Sequence, residues 1–347
     1  MYKTPKLTLL VVMKAGVAKG LSMWWQLLAL GFHAGIFIGF GCGLVVTVVG
    51  ALDSTTPLGF KKLTAGVIFP VCLILIVISG AELFTGNVMY MLAARMAGQT
   101  TWKALIKNWL MSYFGNLCGT LCVAFFLFHL SELFHTATYE TYLHNLAISK
   151  TQYTFGEMVL KGIGCNYLVC LSLWCAAASD DIASKILSIW WPLMAFVVIG
   201  FEHSIANMFY VPLAIMNNAT DVTAGQFIAK NLIPVTIGNI LGGTMFVSIQ
   251  YLIYHPYITA DVPLMRIKQG SNNNATGGVS GSVNGHVVPT HEDTMFRTIS
   301  RAMWHHYCEF MQNYVGIVVY TATADEASTK NTAQAVPKDV ESNLKEV

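Results

Sequence analysis

Two copies of one short motif, G-x-E-x4-N, lie inside apolar stretches of this chain that are too long for a single simple membrane span. The first copy covers residues 80–87 as GAELFTGN, and the second covers residues 200–207 as GFEHSIAN. About 20 residues of helix cross the hydrocarbon core of a bilayer, so an acidic residue and an Asn midway along such a stretch must face protein or water. Broken helices at corresponding positions of two halves indicate a translocation site. The pair therefore predicts a duplicated membrane pore.

Composition independently predicts a polytopic membrane protein. Hydrophobic residues make up 54% of the chain, charged residues make up 11%, and the mean hydropathy is +0.55, which lies outside the range of ordinary soluble domains. Nine of the eighteen acidic residues and seven of the twenty basic residues follow Thr259. We therefore expect a transmembrane domain over residues 1–258, preceded by a short cytoplasmic N-terminal helix. Residues 259–347, with a low-complexity linker at 270–285, are expected to form a largely disordered cytoplasmic tail.

Hydropathy along the chain predicts six membrane spans. The apolar segments cover residues 24–50, 64–94, 106–130, 156–178, 186–215 and 232–254, and an even number places both termini on one side. Basic residues of the short connections divide eight to four between the two sides, so the positive-inside bias predicts cytoplasmic termini. The eight are Lys3, Lys6, Lys14, Lys19, Arg95, Lys103, Lys107 and Lys185; the four are Lys61, Lys62, Lys150 and Lys230.

The second and fifth segments are expected to contain broken helices. Each runs for about thirty residues, which is roughly 45 Å of continuous helix against a core of roughly 30 Å. Pro70 and Pro192 lie in their first halves, and Gly80 and Gly200 lie at the candidate breaks. A lone Gly in a membrane helix usually serves close helix packing. The repetition of these glycines at matched positions favours an unwound backbone that lines a cavity.

The duplication extends beyond the breaks. Residues 107–119, KNWLMSYFGNLCG, align without a gap on residues 230–242, KNLIPVTIGNILG. Each half then has three spans, and an odd number of spans inverts one copy relative to the other. Lys19 precedes Gly31 by twelve residues, and Lys150 precedes Gly162 by the same spacing. The sequence therefore predicts an all-α membrane protein built as an inverted 3+3 repeat.

These residues resemble the formate/nitrite transporter family of pentameric anion channels and transporters. The resemblance covers roughly residues 15–255 and includes four blocks in the family's order: VISGAELFTG (77–86), GIGCNYLVC (162–170), GFEHSIANMFY (200–210) and NLIPVTIGNI (231–240). It implies an aquaporin-like fold, a homopentamer with one pore per protomer, and transport of small monovalent anions such as formate, nitrite, lactate or hydrosulfide. Ser172, where the family usually has Ala, and the extra charge of Lys161 are departures from the family pattern.

The resemblance also implies a role for particular residues. It places the family's central pore histidine at His203, between Glu202 and Asn207. It places the loop that breaks the second segment at Leu83, Phe84 and Thr85, and the apolar constriction rings at Phe69 and Phe196. It places the pore-side asparagines at Asn166 and Asn239 and the vestibule lysines at Lys19 and Lys150. Gly80, Glu82, Asn87 and Gly200 are expected to form the scaffold of the two breaks.

The chemistry required of such a pore can be stated from physical principles. A monovalent anion that enters hydrocarbon meets a Born penalty on the order of tens of kcal/mol, and proton transfer to the anion removes most of that penalty. Lysines at the entrances would raise the local anion concentration. His203 lies midway along a membrane segment, and histidine changes charge near neutral pH. We therefore hypothesise that it binds the substrate and supplies, relays or electrostatically promotes the proton, whereas a purely structural histidine is the alternative.

Several other assignments stay open at this point. Glu82 and Glu202 could carry protons, but a carboxylate that holds the free backbone amides of a broken helix is at least as plausible. Lys19 and Lys150 could be snorkelling residues instead of vestibule residues. Lys161, four residues after Glu157, fits an i,i+4 ion pair.

Two other function classes compete with anion transport. A water or glycerol channel shares the six-span design, but the Asn-Pro-Ala pairs expected at its breaks are absent from the sequence. A membrane enzyme would need metal ligands at productive spacing, and the eight cysteines show none. The sequence predicts no enzyme activity, no cofactor, no metal and no nucleic-acid partner. It favours an integral protein of the plasma membrane and leaves the choice of anion open.

Overall fold

The computed structural model describes residues 2–261, with side chains through residue 255. The chain divides into one unit over Met1–Asn273 and another over Asn274–Val347. The second unit and almost all of the predicted tail, residues 259–347, lie outside the described residues, as does Cys308. The described helices are α1 (Pro5–Leu21), α2 (Trp24–Gly50), α3 (Leu58–Ile68), α4 (Val71–Ser79), α5 (Phe84–Met96), α6 (Trp102–Cys122), α7 (Ala137–Thr151), α8 (Phe155–Ala178), α9 (Ile182–Ile199), α10 (Ser204–Met216), α11 (Ala224–Phe227) and α12 (Ile233–Asp261).

Six helical stretches of the described chain are long and apolar enough to cross a membrane. Two of them include π-helical turns, over Val123–His129 after α6 and over Ile228–Leu232 before α12. The described residues form no strand beyond one isolated bridge between Tyr2 and Ser179. The prediction of an all-α membrane protein with six spans is confirmed. The spans are Trp24–Gly50, Leu58–Ser79, Trp102–His129, Phe155–Ala178, Ile182–Ile199 and Ala224–His255.

Short non-helical linkers follow α4 and α9. Helix α4 ends at Ser79 and α5 begins at Phe84, while α9 ends at Ile199 and α10 begins at Ser204. Each linker starts with a glycine in the left-handed region, where φ is +73° at Gly80 and +93° at Gly200. A Cβ atom at Gly80 would meet no atom within 4 Å. Backbone conformation, and not close helix packing, therefore explains the glycine at this position.

Close helix pairs surround the linkers. Helix α2 packs on α6, and α8 packs on α12. A Cβ atom at Gly35 of α2 would lie 2.3 Å from the carbonyl oxygen of Asn116, and one at Gly238 of α12 would lie 2.2 Å from that of Val159. Any larger residue would force these backbones apart. The two contacts bring the polar side chains of α6 and α12 next to the linkers.

Candidate functional site

The two linker regions meet through the side chains of Thr85 and His203. The Thr85 hydroxyl oxygen lies 3.0 Å from Nε2 of His203, although the residues are 118 positions apart in the chain. Both side chains are buried, with 0% of Thr85 and 4% of His203 exposed. Thr85 is in the first turn of α5, and His203 caps α10. The contact therefore joins the starts of two half-length helices from opposite halves of the chain.

The hydrogen bonds of His203 assign its tautomer. Its Nδ1 accepts the backbone N–H of Ala206, with 3.1 Å between the nitrogens. Since Nδ1 is an acceptor, the neutral ring carries its proton on Nε2 and donates it to the Thr85 hydroxyl. If Nδ1 also carried a proton, its N–H would face the backbone N–H of Ala206, and neither donor would have an acceptor. The geometry thus holds a neutral imidazole that presents one N–H donor.

An apolar cavity lies beside this donor and has room for about one water molecule. Its two phenylalanine rings, Phe69 and Phe196, are in edge contact with centroids 5.8 Å apart, and the Phe196 ring is 6.2 Å from that of His203. The predicted constriction residues therefore border one shared cavity. Sequence reasoning missed Cys72, which also lines the cavity. The lining residues are Ile38, Phe69, Cys72, Leu73, Leu83, Val169, Leu193, Phe196 and His203.

A buried ion pair lies next to the first linker. Nζ of Lys19 is 2.6 Å from Oε1 of Glu82, and the side chains are 19% and 7% exposed. The other carboxylate oxygen accepts a hydrogen bond from the Asn87 amide at 2.7 Å. Nζ of Lys19 also lies 5.3 Å from the centroid of the Tyr90 ring, where a cation–π attraction adds to the pair.

The second linker repeats this arrangement. Nζ of Lys150 is 2.9 Å from Oε2 of Glu202, which also accepts the Asn207 amide at 2.9 Å, and Nζ lies 5.7 Å from the centroid of the Tyr210 ring. Each lysine predicted for a vestibule is thus paired with the glutamate of the nearby motif. The sequence analysis predicted neither of these ion pairs, because each contact joins residues more than fifty positions apart.

One of the two roles left open for Glu82 and Glu202 was to hold free backbone amides, but their carboxylates contact lysine and asparagine side chains. Asn116 takes that part in the first half: its oxygen accepts the N–H of Phe84 at 2.9 Å, and its amide donates to the carbonyls of Gly31 and Glu82 at 2.8 and 2.9 Å. Asn116 was missed as a site residue, although the repeat alignment contained it.

Asn239 performs the same task for the second linker. Its oxygen accepts the N–H of Ser204 at 2.9 Å, and its amide donates to the carbonyls of Gly162 and Glu202 at 2.9 and 3.0 Å. This side chain, predicted to face the pore, is engaged with the backbone around the linker. Both asparagines are fully buried, so their hydrogen bonds satisfy helix ends that water cannot reach.

Two further predicted residues, Asn166 and Phe84, are not among the lining residues of the cavity. Asn166 donates to the carbonyl oxygen of Thr85 at 3.1 Å and to that of Asn239 at 2.6 Å, so it connects the two linker regions. The ring of Phe84 packs edge-on against the rings of Trp109 and Tyr113. Asn166 therefore supports Thr85 through its backbone.

The ion pair expected between Lys161 and Glu157 is not formed. Nζ of Lys161 lies 3.1 Å from the centroid of the Tyr153 ring, and the Glu157 carboxylate accepts hydrogen bonds from the backbone and hydroxyl of Thr154 at 2.8 Å. Glu157 completes a capping box at the start of α8, which competes with the i,i+4 pair. The described cysteines are all free, and within residues 2–255 no cluster of three His, Cys, Asp or Glu side chains could hold a metal.

Comparisons with known proteins agree with the sequence resemblance. Residues 6–253 match the family model described as formate/nitrite transporter. The chain is 44% identical over 231 residues to an uncharacterized transporter, YrhG, of Bacillus subtilis (strain 168), with 66% of this chain and 85% of the relative covered. It is 37% identical over 264 residues to the formate channel FocA of Escherichia coli (strain K12), with 71% and 92% covered.

A solved structure has the same fold. A pentameric formate channel with formate bound aligns with a TM-score of 0.61 at 36% identity, and the alignment covers 67% of this chain and 98% of that one. An ion channel described as an FNT family member aligns with a TM-score of 0.63 at 30% identity and covers 71% and 97%. The described helices therefore have the architecture of known membrane channels.

Proposed function

Because the chain belongs to the formate/nitrite transporter family, we propose that it moves small monovalent carboxylates and related anions across a membrane, with formate as the first candidate and nitrite and lactate as further ones. Family members are channels and transporters, so the protein is not an enzyme. Each chain would contain its own pore, centred on the contact between Thr85 and His203.

The apolar cavity determines which form of the substrate can pass. Phe69, Phe196 and Leu83 offer no partner for a charge, and the cavity is too small to keep a hydration shell. A neutral weak acid crosses such a region at far lower cost than its anion. Transport is therefore proton-linked, with the acid form in the cavity and the anion at both entrances.

His203 would provide the hydrogen-bond donor in the cavity wall that promotes the exchange between the anion and its acid form. Its Nε2–H now donates to Thr85 and could donate instead to a carboxylate or nitrite oxygen that enters the cavity. Since Nδ1 is held by the N–H of Ala206, we propose that His203 acts as a neutral donor that polarises the substrate and not as a two-nitrogen proton relay. The Nε2–Thr85 contact beside the cavity is the observation that carries this proposal.

The two ion pairs would attract the anion without trapping it. The side chains of Lys19 and Lys150 are 19% and 14% exposed, and each ammonium group is balanced by a glutamate. A lone buried lysine would bind a carboxylate tightly, whereas a permeation path needs binding that is favourable and also weak. The paired carboxylates of Glu82 and Glu202 would weaken the attraction of each lysine for the anion.

The assembly and membrane are also part of the proposal. A pentameric relative of matching architecture supports a homopentamer. Exposed apolar side chains on α6, such as Leu110 and Phe114, would then face lipid or a neighbouring protomer. We place the protein in the plasma membrane with cytoplasmic termini, in keeping with the positive-inside bias.

Uptake of radiolabelled formate, nitrite and lactate into proteoliposomes over a range of pH tests the function. Uptake of at least one anion that rises as the outer pH falls is expected, since acid increases the protonated form. Osmotic water flux measured in the same vesicles tests the alternative of a neutral-solute channel. Water or glycerol flux without uptake of any small anion would contradict the proposal.

A further inference from the structure

A second polar cluster shares no residue with the apolar cavity and lies where the end of the α6 span meets the residue after α10. Nδ1 of His129 is 2.6 Å from Oδ1 of Asn217, and Nε2 of His135 is 3.3 Å from the same oxygen. The two imidazole centroids are 5.6 Å apart. One amide oxygen thus faces two imidazole nitrogens that come from separate turns of the chain.

We infer that His129, His135 and Asn217 form a binding site for a divalent transition-metal ion of the Zn²⁺ class. Imidazole nitrogen is a preferred ligand of Zn²⁺, Cu²⁺ and Ni²⁺, and an amide oxygen with a water molecule can complete four-coordination. The site consists of only two imidazoles and one amide, so it is an open site that differs from a structural zinc centre with four protein ligands.

The spacing of the ligand atoms fits such an ion after a small adjustment. A tetrahedral ion about 2.1 Å from each ligand separates neighbouring ligand atoms by about 3.4 Å and two bound imidazole centroids by about 5 Å. The observed separations are 2.6 and 3.3 Å between nitrogen and oxygen and 5.6 Å between the ring centroids. The 3.3 Å separation already matches such an ion, and the 2.6 Å separation would have to widen by about 0.8 Å.

The amide of Asn217 gives a second, independent indication. Asn217 is 8% exposed, and its side-chain nitrogen Nδ2 is buried without a hydrogen-bond partner. The amide therefore holds its oxygen towards the imidazoles while its NH2 group has no acceptor, so the partners of the oxygen alone fix the side-chain orientation. Neighbouring Asn218 and Glu132 are the described non-glycine residues with positive φ, at +51° and +58°.

The ion can reach the site, because His135 is exposed and His129 is half-buried. Coordination through Nδ1 of His129 and Nε2 of His135 leaves one proton on the other nitrogen of each ring, so both ligands are neutral imidazoles.

Zn²⁺ titration of the full-length chain tests this inference independently of transport. The protein is purified in detergent without a polyhistidine tag and stripped with a chelator, and binding is followed by calorimetry and by the visible absorption of Co²⁺. The chain also contains His286, His291, His305 and His306, which lie outside the described residues. A variant with these four replaced by alanine serves as the parent for all others.

The parent should bind one Zn²⁺ per chain, and H129A and H135A should each weaken binding by at least about 10-fold, the lower end of what a lost supporting contact costs a metal site. His144→Ala on α7 is the matched control and should leave affinity unchanged. Asn217→Asp should strengthen binding, because a carboxylate replaces the amide oxygen. Absence of saturable binding by the parent, or equal affinity in the parent and H135A, would overturn the inference; H135A changes an exposed side chain, so folding does not confound it.

Discussion

His203 and Thr85 share a hydrogen bond of 3.0 Å between Nε2 and the hydroxyl oxygen, while the opposite nitrogen of His203 caps α10. One ring thus performs a structural task with Nδ1 and keeps Nε2–H available beside an apolar cavity. The two tasks lie on different atoms, so substitutions can separate them.

Removal of the Thr85 hydroxyl should impair transport. Thr85→Val keeps the buried volume but leaves the His203 donor without a partner, which costs about 1–3 kcal/mol. Formate uptake should fall by roughly 5- to 100-fold, because the hydroxyl no longer fixes the direction of the His203 Nε2–H beside the cavity. Thr85→Ser, which keeps the hydroxyl, is the control and should retain most uptake. Equal rates for the valine variant and the wild type would show that the hydroxyl takes no part.

The ion pair between Lys19 and Glu82 should be energetically coupled. Lys19→Met and Glu82→Gln each leave the other partner unbalanced in a mostly buried position, so each should lower the apparent melting temperature in detergent. The double variant should recover part of the loss, with a coupling energy of about 0.5–3 kcal/mol. Strictly additive effects of the two substitutions would contradict the pairing.

Asn116 should matter for folding as much as Asn239 does. Each amide closes three hydrogen bonds at a helix start that water cannot reach, so replacement by alanine should cost at least about 1–3 kcal/mol. The assembled fraction after detergent extraction, followed by size-exclusion chromatography, measures the effect. Asn116→Asp keeps the acceptor for Phe84 but turns a buried carboxylate oxygen towards two carbonyl oxygens, so it should be no milder than Asn116→Ala. Wild-type assembly of either variant would contradict the capping role.

Substitution of Gly80 tests whether the motif needs a glycine because of the left-handed backbone conformation at this position. Gly80→Ala places a Cβ at φ +73°, which costs roughly 1–2 kcal/mol although no atom lies within 4 Å. Gly59→Ala also adds a Cβ in open space but at an ordinary φ, and it should be neutral. Thermal unfolding of both variants in detergent compares them. A loss of stability in Gly59→Ala equal to that in Gly80→Ala would remove the argument from φ.

The sequence predicted the six spans because a bilayer imposes length and apolarity on each one separately. It placed the candidate pore histidine at His203, inside the second motif, from the family resemblance and the position of this residue midway along a span; the role in the pore stays a prediction. It could not predict which lysine pairs with which glutamate, because Lys19 and Glu82 come together only when α1 packs on α5. The contact between Thr85 and His203 was missed for the same reason. Asn116 was visible in the repeat, but spacing alone does not distinguish a capping amide from one that lines a pore.

The pH dependence of formate uptake in His203→Asn and His203→Leu tests the central claim most directly. Asparagine can keep the cap on α10 through its own oxygen but lacks the Nε2–H donor, whereas leucine, the residue at the matching position 83, lacks both. The account predicts that the asparagine variant still assembles and that its uptake is strongly reduced across the pH range, because the substrate loses the Nε2–H donor. The leucine variant should in addition lose stability. Wild-type uptake with wild-type pH dependence in His203→Asn would contradict the account.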